Sequence, residues 1–263
     1  MARCTLAVKT TLNMKFICLS FLFSLTTLSF AQSIGKVTYE EKLDMYRRIP
    51  PDREDLKNRF PQYHTSIWEL LYNGDESVYQ YQKQEEVEVT NTMGNTQMTT
   101  RFGGRENRVV YKNLAESKMI DSRDFMQKQF LITGVPTVRK WKIGKNSKEV
   151  LGYNCMEASF QEDSTTHIVA WFTPQLQQFN GPSDYQGLPG LILQIDINSG
   201  ERVLTATELK TEGVDTAVIV APTKGKEVTA EEFDQIRKEK MKEMGMQGQG
   251  GPGGPPMQIM IRQ

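Results

Sequence analysis

Pro189-Gly190 opens onto Leu191-Ile192-Leu193-Gln194-Ile195-Asp196-Ile197, and this join restricts the chain more than any other stretch. Leu191, Leu193, Ile195 and Ile197 share one side of an extended backbone while Gln194 and Asp196 take the other, the period-two pattern of a half-buried strand. A helix would scatter those residues around its circumference. Pro189 sets φ for the second position of a β-turn, and Gly190 supplies the positive φ of a type II turn. Gly187, Pro189 and Gly190 therefore read as a structural turn. Asn198-Ser199-Gly200 forms the next turn signal, after which Val203, Thr205 and Thr207 alternate with Leu204 and Ala206, completing a β-hairpin.

The same punctuation recurs along the chain. Val37, Tyr39 and Leu43 mark a first strand, and Ile67 to Tyr72 and Val78 to Tyr81 flank the hairpin signal Asn73-Gly74-Asp75. Further strands are expected at 108–111, 130–133, 138–143, 151–160 and 168–172, with 90–100 a long loop or a solvated strand pair. Helix is scarce. Thr229 with Glu232 three residues on makes a capping box, and Phe233, Ile236, Met241 and Met244 recur at helical spacing until Gly245. The expected fold is mainly β, a large curved antiparallel sheet or an open, bowl-like half-barrel, with a C-terminal helix and a flexible tail. One β-rich domain is expected over 32–222, a charged helix over 223–244, and a disordered Gly- and Met-rich tail over 245–263.

The N-terminus reads as an export signal. Met14-Lys15 precedes an apolar run from Phe16 to Phe30, and Ser29-Phe30-Ala31 offers the small residues of a cleavage site before Gln32. Residues 1–31 are thus expected to be a signal peptide, with Met14 a possible true start. The run is short for a bilayer span, so no transmembrane segment is expected after signal removal. Losing Arg3, Lys9 and Lys15 from 32 basic residues leaves 29 against 32 acidic ones, a balance that argues against a nucleic-acid partner. Of three cysteines only Cys155 would remain, which leaves no internal disulfide to form. These readings place the chain in the periplasm or outside the cell.

Signatures of chemistry are sparse. Cys155 and His167 are the one nucleophile-and-base pair in view, on neighbouring strands whose register decides whether they meet. Asp184 is a further candidate carboxylate. With His64 and His167 the only histidines, no zinc spacing exists, and no cofactor or metal is expected. Met241, Met244, Met246, Met257 and Met260 form a soft-ligand alternative for Cu(I). Arg139, Lys140, Lys142, Lys145 and Lys148 surround Trp141 and Ile143, an alternation that fits a solvated strand edge guarded by lysine.

Several marks together carry a resemblance: Tyr39-Glu40, Trp141-Lys142-Ile143, Leu151-Gly152-Tyr153-Asn154-Cys155-Met156-Glu157-Ala158, Ala170-Trp171-Phe172-Thr173-Pro174, Gly181-Pro182 and Gly187 to Ile192. In these the chain resembles the GLPGLI family of exported Bacteroidetes proteins, with the central likeness from Val138 to Leu209. The resemblance implies a signal peptide and a predominantly β fold, with a more distant likeness to the unclosed β-barrels of periplasmic lipoprotein carriers. It implies no activity, so it assigns no catalytic residues. The resulting expectation is a non-enzymatic envelope protein that binds a partner protein or an apolar ligand, with Trp171, Phe172, Tyr185, Leu188 and Pro189 at the contact. The alternatives are a hydrolase using Cys155 with His167 or a carboxylate, and a Met-rich metal-handling protein.

Overall fold

Alternation becomes strand throughout the computed structural model, which describes residues 33–49, 51–58, 61–82, 87–93, 96–102, 107–243 and 259–262. The proposed signal, residues 1–31, lies outside the described residues. The first strands are β1 (Ile34–Asp44), β2 (Tyr63–Asn73) and β3 (Glu76–Tyr81), followed by β4 (Val87–Met93) and β5 (Thr96–Phe102). Next come β6 (Val109–Asn113), β7 (Lys118–Phe125), β8 (Lys128–Gly134), β9 (Lys142–Val150) and β10 (Tyr153–Gln161). The chain continues through β11 (His167–Thr173), β12 (Leu191–Ile197), β13 (Arg202–Lys210) and β14 (Lys226–Val228) to the helix α1 (Ala230–Glu243), and β15 (Ile259–Arg262) follows.

Among the described residues, twelve strands form one open sheet in the order β14-β8-β7-β6-β3-β2-β1-β13-β12-β11-β10-β9. Its two end strands do not pair, so the sheet is not closed into a barrel. The expected antiparallel sheet is in fact mixed, because β14 runs parallel to β8, with Glu227 opposite Leu131. Val228 and the first turn of α1 pack through Phe233 against Phe130 and Ile132, so the ordered unit extends into the helix. Phe233 meets the Phe125 and Phe130 rings edge-on at 5.9 and 5.3 Å, a favoured aromatic geometry.

The two hairpins read from turn chemistry form as expected. Asn73 pairs with Glu76 around Gly74 at φ 60°, and Ile197 pairs with Arg202 around Asn198, Ser199 and Gly200, all at positive φ. Thr229 and Glu232 make the reciprocal capping box, with Glu232 N donating to Thr229 Oγ1 at 3.2 Å and Thr229 N to Glu232 Oε2 at 2.8 Å. Three expectations need correction. Residues 138–141 are not strand, because β9 begins at Lys142. The strand β7 is absent from the expected set, since Asp121, Arg123 and Asp124 interrupt its apolar pattern. Residues 259–262 pair antiparallel with 97–100 instead of extending the tail; the strand-forming Ile259 and Ile261 follow the Gly- and Pro-rich stretch.

The core lies on the face that carries Val37 and Tyr39 of β1, Trp68, Leu70 and Tyr72 of β2, Tyr79 of β3 and Val110 of β6. Trp68 and Tyr79 stack at 5.1 Å with their planes 3° apart. On the other side of β1, Leu204, Ala206, Leu193, Ile195, Ile168, Ala170 and Phe172 continue the same cluster through β13, β12 and β11. Each fully buried Leu or Ile contributes about 1.5–3 kcal/mol, so the alternation of β12 alone is a substantial part of the folding drive.

Candidate functional site

The 17 residues from Pro174 to Gly190 join β11 to β12 and carry most of the residues expected at a binding site. In a flat sheet, β12 and β6 would stand five strand spacings apart, about 24 Å. The loop nevertheless bonds to both. Ile192 N donates to Asn180 O at 3.0 Å on the β12 side, while Lys112 Nζ of β6 donates to Gly181 O at 3.1 Å. Gln178 Nε2 donates to Gly74 O at 2.9 Å in the β2–β3 turn. Arg108 Nη2 donates to Ser183 Oγ at 3.1 Å, and Trp141 Nε1 donates to Gln186 O at 2.9 Å. The sheet therefore curves around the loop, and Tyr185 and Leu188 join the cluster of Tyr39, Trp68 and Tyr79.

An ionic clasp fixes the far end of the loop. Arg139 donates through Nη1 to Asp184 O at 2.8 Å and through Nη2 to Asp184 Oδ2 at 2.5 Å. Its guanidinium also lies 4.6 Å from the centroid of the Tyr185 ring, a cation–π distance. Burial opposes ionisation of Asp184, but the charge and hydrogen bond of Arg139, with the charge of Arg108, outweigh it and hold the carboxyl at about 2. Arg108 is itself paired with Asp121, Nε to Oδ1 at 3.1 Å and Nη2 to Oδ2 at 2.9 Å. Burial, reinforced by Asp184, raises the Tyr185 phenol well above its ordinary range.

The Pro-Gly turn differs from the expected type II form. Gly190 N donates to Leu188 O at 2.8 Å, and Leu191 N turns instead to Leu176 O at 3.2 Å, so the turn closes over three residues. Gly190 has φ 149°, and a Cβ there would stand 2.1 Å from Thr173 O. Glycine is required by close backbone approach as well as by dihedral angle. Gly187, at φ 84°, has open space around it.

The expected contact residues divide by exposure. Phe172 and Leu188 are each 1% exposed and Tyr185 is 8% exposed, so their side chains are packed in the core. Pro189 is exposed and Trp171 is half-buried. Lys148 Nζ covers the Trp171 ring at 4.2 Å and also bonds the Gln194 side-chain amide. Phe179, absent from the expected set, is 57% exposed on the loop and accepts a backbone bond from Gly187 N at 3.3 Å. Phe179, Gly187 and Pro189 thus form the outward part of a clamped loop.

The thiol pair does not assemble. Gln161 stands opposite His167, and Cys155 lies six residues back along β10, about 20 Å away. Cys155 is fully buried, and burial pushes its thiol upward; His167 is exposed. Asp184 is engaged by Arg139. Among the described residues no cluster of three His, Cys, Asp or Glu side chains is placed to hold a metal ion. Of the methionines considered for copper, Met241 lies on α1, Met244, Met246 and Met257 fall outside the described residues, and Met260 lies on β15. Of the lysine-edged segment, Lys142 and Lys145 lie exposed on β9, the sheet's end strand, while Lys140 and Trp141 precede the strand. Arg139 departs from it, buried against the loop.

A family model matches this region. Described as a protein of unknown function (Porph_ging), it covers residues 160–194, from the end of β10 through β11 and the loop into β12. No curated protein matches the chain. Among solved structures, PNGF-II in its P21 crystal form aligns at TM-score 0.46 and 16% identity over 78% of this chain and 33% of that one. The C2 form gives TM-score 0.46 and 15% identity over 78% and 32%. An uncharacterized conserved protein from Thermus thermophilus aligns at TM-score 0.38 and 6% identity over 75% and 91%. The chain spans about a third of the length of the PNGF-II chains it matches.

Proposed function

We propose that the chain is an exported envelope protein of the GLPGLI type that acts as a non-enzymatic binding or accessory module. It presents the outward part of the clamped loop, Phe179 with Pro189, to a partner protein. The observation that carries this reading is Phe179: a large aromatic side chain held in solvent by a loop that is itself bonded to β12 through Asn180, to β6 through Gly181 and to Arg139 through Asp184. A rigid, exposed aromatic loses little conformational entropy on docking, which is what makes such residues anchors at interfaces. Export rests on the apolar run from Phe16 to Phe30 and the Ser29-Phe30-Ala31 site.

Affinity capture from detergent-solubilised envelopes tests the reading, comparing the native protein with Phe179→Ser/Pro189→Ser. We expect a defined partner with the native protein that is lost with the variant, at unchanged thermal stability. Capture of the same set by both proteins would overturn the assignment of the loop. Lipid analysis of the same eluates checks the apolar-ligand form of the expectation. A mature N-terminus other than Gln32 would remove the proposed cleavage site.

A further inference from the structure

Lys112 and Asn180 are both wholly buried, and both close on Gly181. Lys112 Nζ donates to the Gly181 carbonyl at 3.1 Å, while the Gly181 N–H donates to Asn180 Oδ1 at 2.9 Å. The second bond fixes the orientation of the Asn180 amide, since only its oxygen can accept. Asn180 Nδ2 is left with no acceptor among the described residues. Lys112 in turn sits at an inward position of β6, on the same face as Val110, where an ammonium has, among the described residues, a single backbone oxygen for its three hydrogens. Among the described residues, neither side chain has the partners that usually justify burying it.

We infer that Lys112 and Asn180 form an intramolecular isopeptide bond. The lone pair of Lys112 Nζ adds to Asn180 Cγ, and the developing charge on Oδ1 falls on the Gly181 N–H that already holds that oxygen. As Nζ gains positive charge, the ionised Asp184 carboxylate stabilises it. A proton passes from Nζ to Nδ2, the Cγ–Nδ2 bond breaks, and ammonia leaves. One amine and one primary amide become one secondary amide and one ammonia, with no oxidant, reductant or cofactor.

The environment favours the amine that this step needs. Burial pushes Lys112 down to about 7, with the attraction of Asp184 partly opposing it and the charge of Arg139 adding to it. A substantial fraction is therefore neutral near neutral pH. The product would tie β6 covalently to the loop before β12, linking the two flanks of the curved sheet. This inference is independent of the proposed binding role.

The native, full-length secreted protein provides the test without any variant. Its intact mass, referred to the sequenced N-terminus, is expected to fall below the sequence mass by about 17 Da, one ammonia. Trypsin should release Val109–Lys118, uncut at Lys112, joined to the peptide that contains Asn180. Lys112→Arg and Asn180→Ala should each restore the uncorrected mass and abolish the linked pair. The unmodified mass in native protein would overturn the inference. So would the same mass loss without a linked peptide, which marks succinimide formation at Asn180-Gly181 or, where it maps to the first peptide, cyclisation of an N-terminal Gln32, or a gain of about 1 Da, which marks deamidation.

Discussion

Arg139 grips Asp184 from a segment that belongs to no strand, 45 residues away, through two hydrogen bonds of 2.5 and 2.8 Å. The Arg139 side chain is 3% exposed and that of Asp184 is 30% exposed, so one partner is fully withdrawn from water and the other only partly. Neutralising the aspartate leaves the buried guanidinium with the backbone carbonyl of residue 184 and with Glu162, whose carboxylate is 3.8 Å away. Asp184→Asn is expected to cost about 2–3 kcal/mol, less than the about 3–5 kcal/mol of a fully buried pair, because Asp184 is partly exposed and the bond to its backbone carbonyl remains. Arg139→Leu/Asp184→Asn should cost less than the sum of the single changes, a coupling that a double-mutant cycle in urea measures.

Acid should release the same clasp. The Asp184 carboxyl is held at about 2 in the folded protein, below its ordinary value, so its stabilisation is complete above about pH 4 and is lost as pH falls through about 2. Urea midpoints measured from pH 5 to pH 2 should fall more steeply in the native protein than in Asp184→Asn. Equal slopes would show that Asp184 is not the group responsible.

Gly190 and Gly187 separate steric exclusion from dihedral strain. Gly190→Ala places a methyl group against Thr173 O, so the β11–β12 junction must open; about 3 kcal/mol or more, or failure to fold, is expected. Gly187→Ala meets open space and carries only the left-handed penalty, about 1 kcal/mol. Thermal unfolding of the pair checks the order, and equal losses would contradict the close contact.

Cys155 should resist alkylation by iodoacetamide in the native protein and react fully in denaturant, because it is buried and its thiol is pushed upward. Mass spectrometry reads the adduct directly. Rapid native labelling would revive the thiol chemistry that the register of β10 and β11 argues against.

The C-terminal helix depends on its cap and on one aromatic anchor. Thr229→Ala is expected to cost about 1 kcal/mol and to speed amide exchange at the start of α1. Phe233→Ala should cost about 3 kcal/mol and free the helix from β8, exposing amides along its whole length. Hydrogen exchange distinguishes local fraying from release of the entire helix.

Local chemistry made much of the fold legible. The alternation of β12, the Asn-Gly-Asp turn after β2 and the Thr229–Glu232 cap each depend on residues within one turn or strand, so they can be read without knowing what lies across the molecule. The candidate site was harder because its partners are distant. Lys112 does leave a signal, a lysine on the same strand parity as Val110, but nothing nearby says that Gly181 will meet it. Arg139 reads in sequence as part of a solvated lysine-rich edge, and only the fold sets Asp184 beside it.

The Pro189-Gly190 join and the alternating run after it were enough, as sequence, to require a turn feeding a half-buried strand. They also carried the likeness to a family. The tertiary structure alone decided that the loop before them fills the curve of the sheet, because that depends on five strand spacings closing over 17 residues. It thereby buries Phe172, Tyr185 and Leu188 and leaves Phe179 and Pro189 outside. Turns and strand faces follow from short-range sterics and side-chain period, whereas exposure is a property of what packs across the gap.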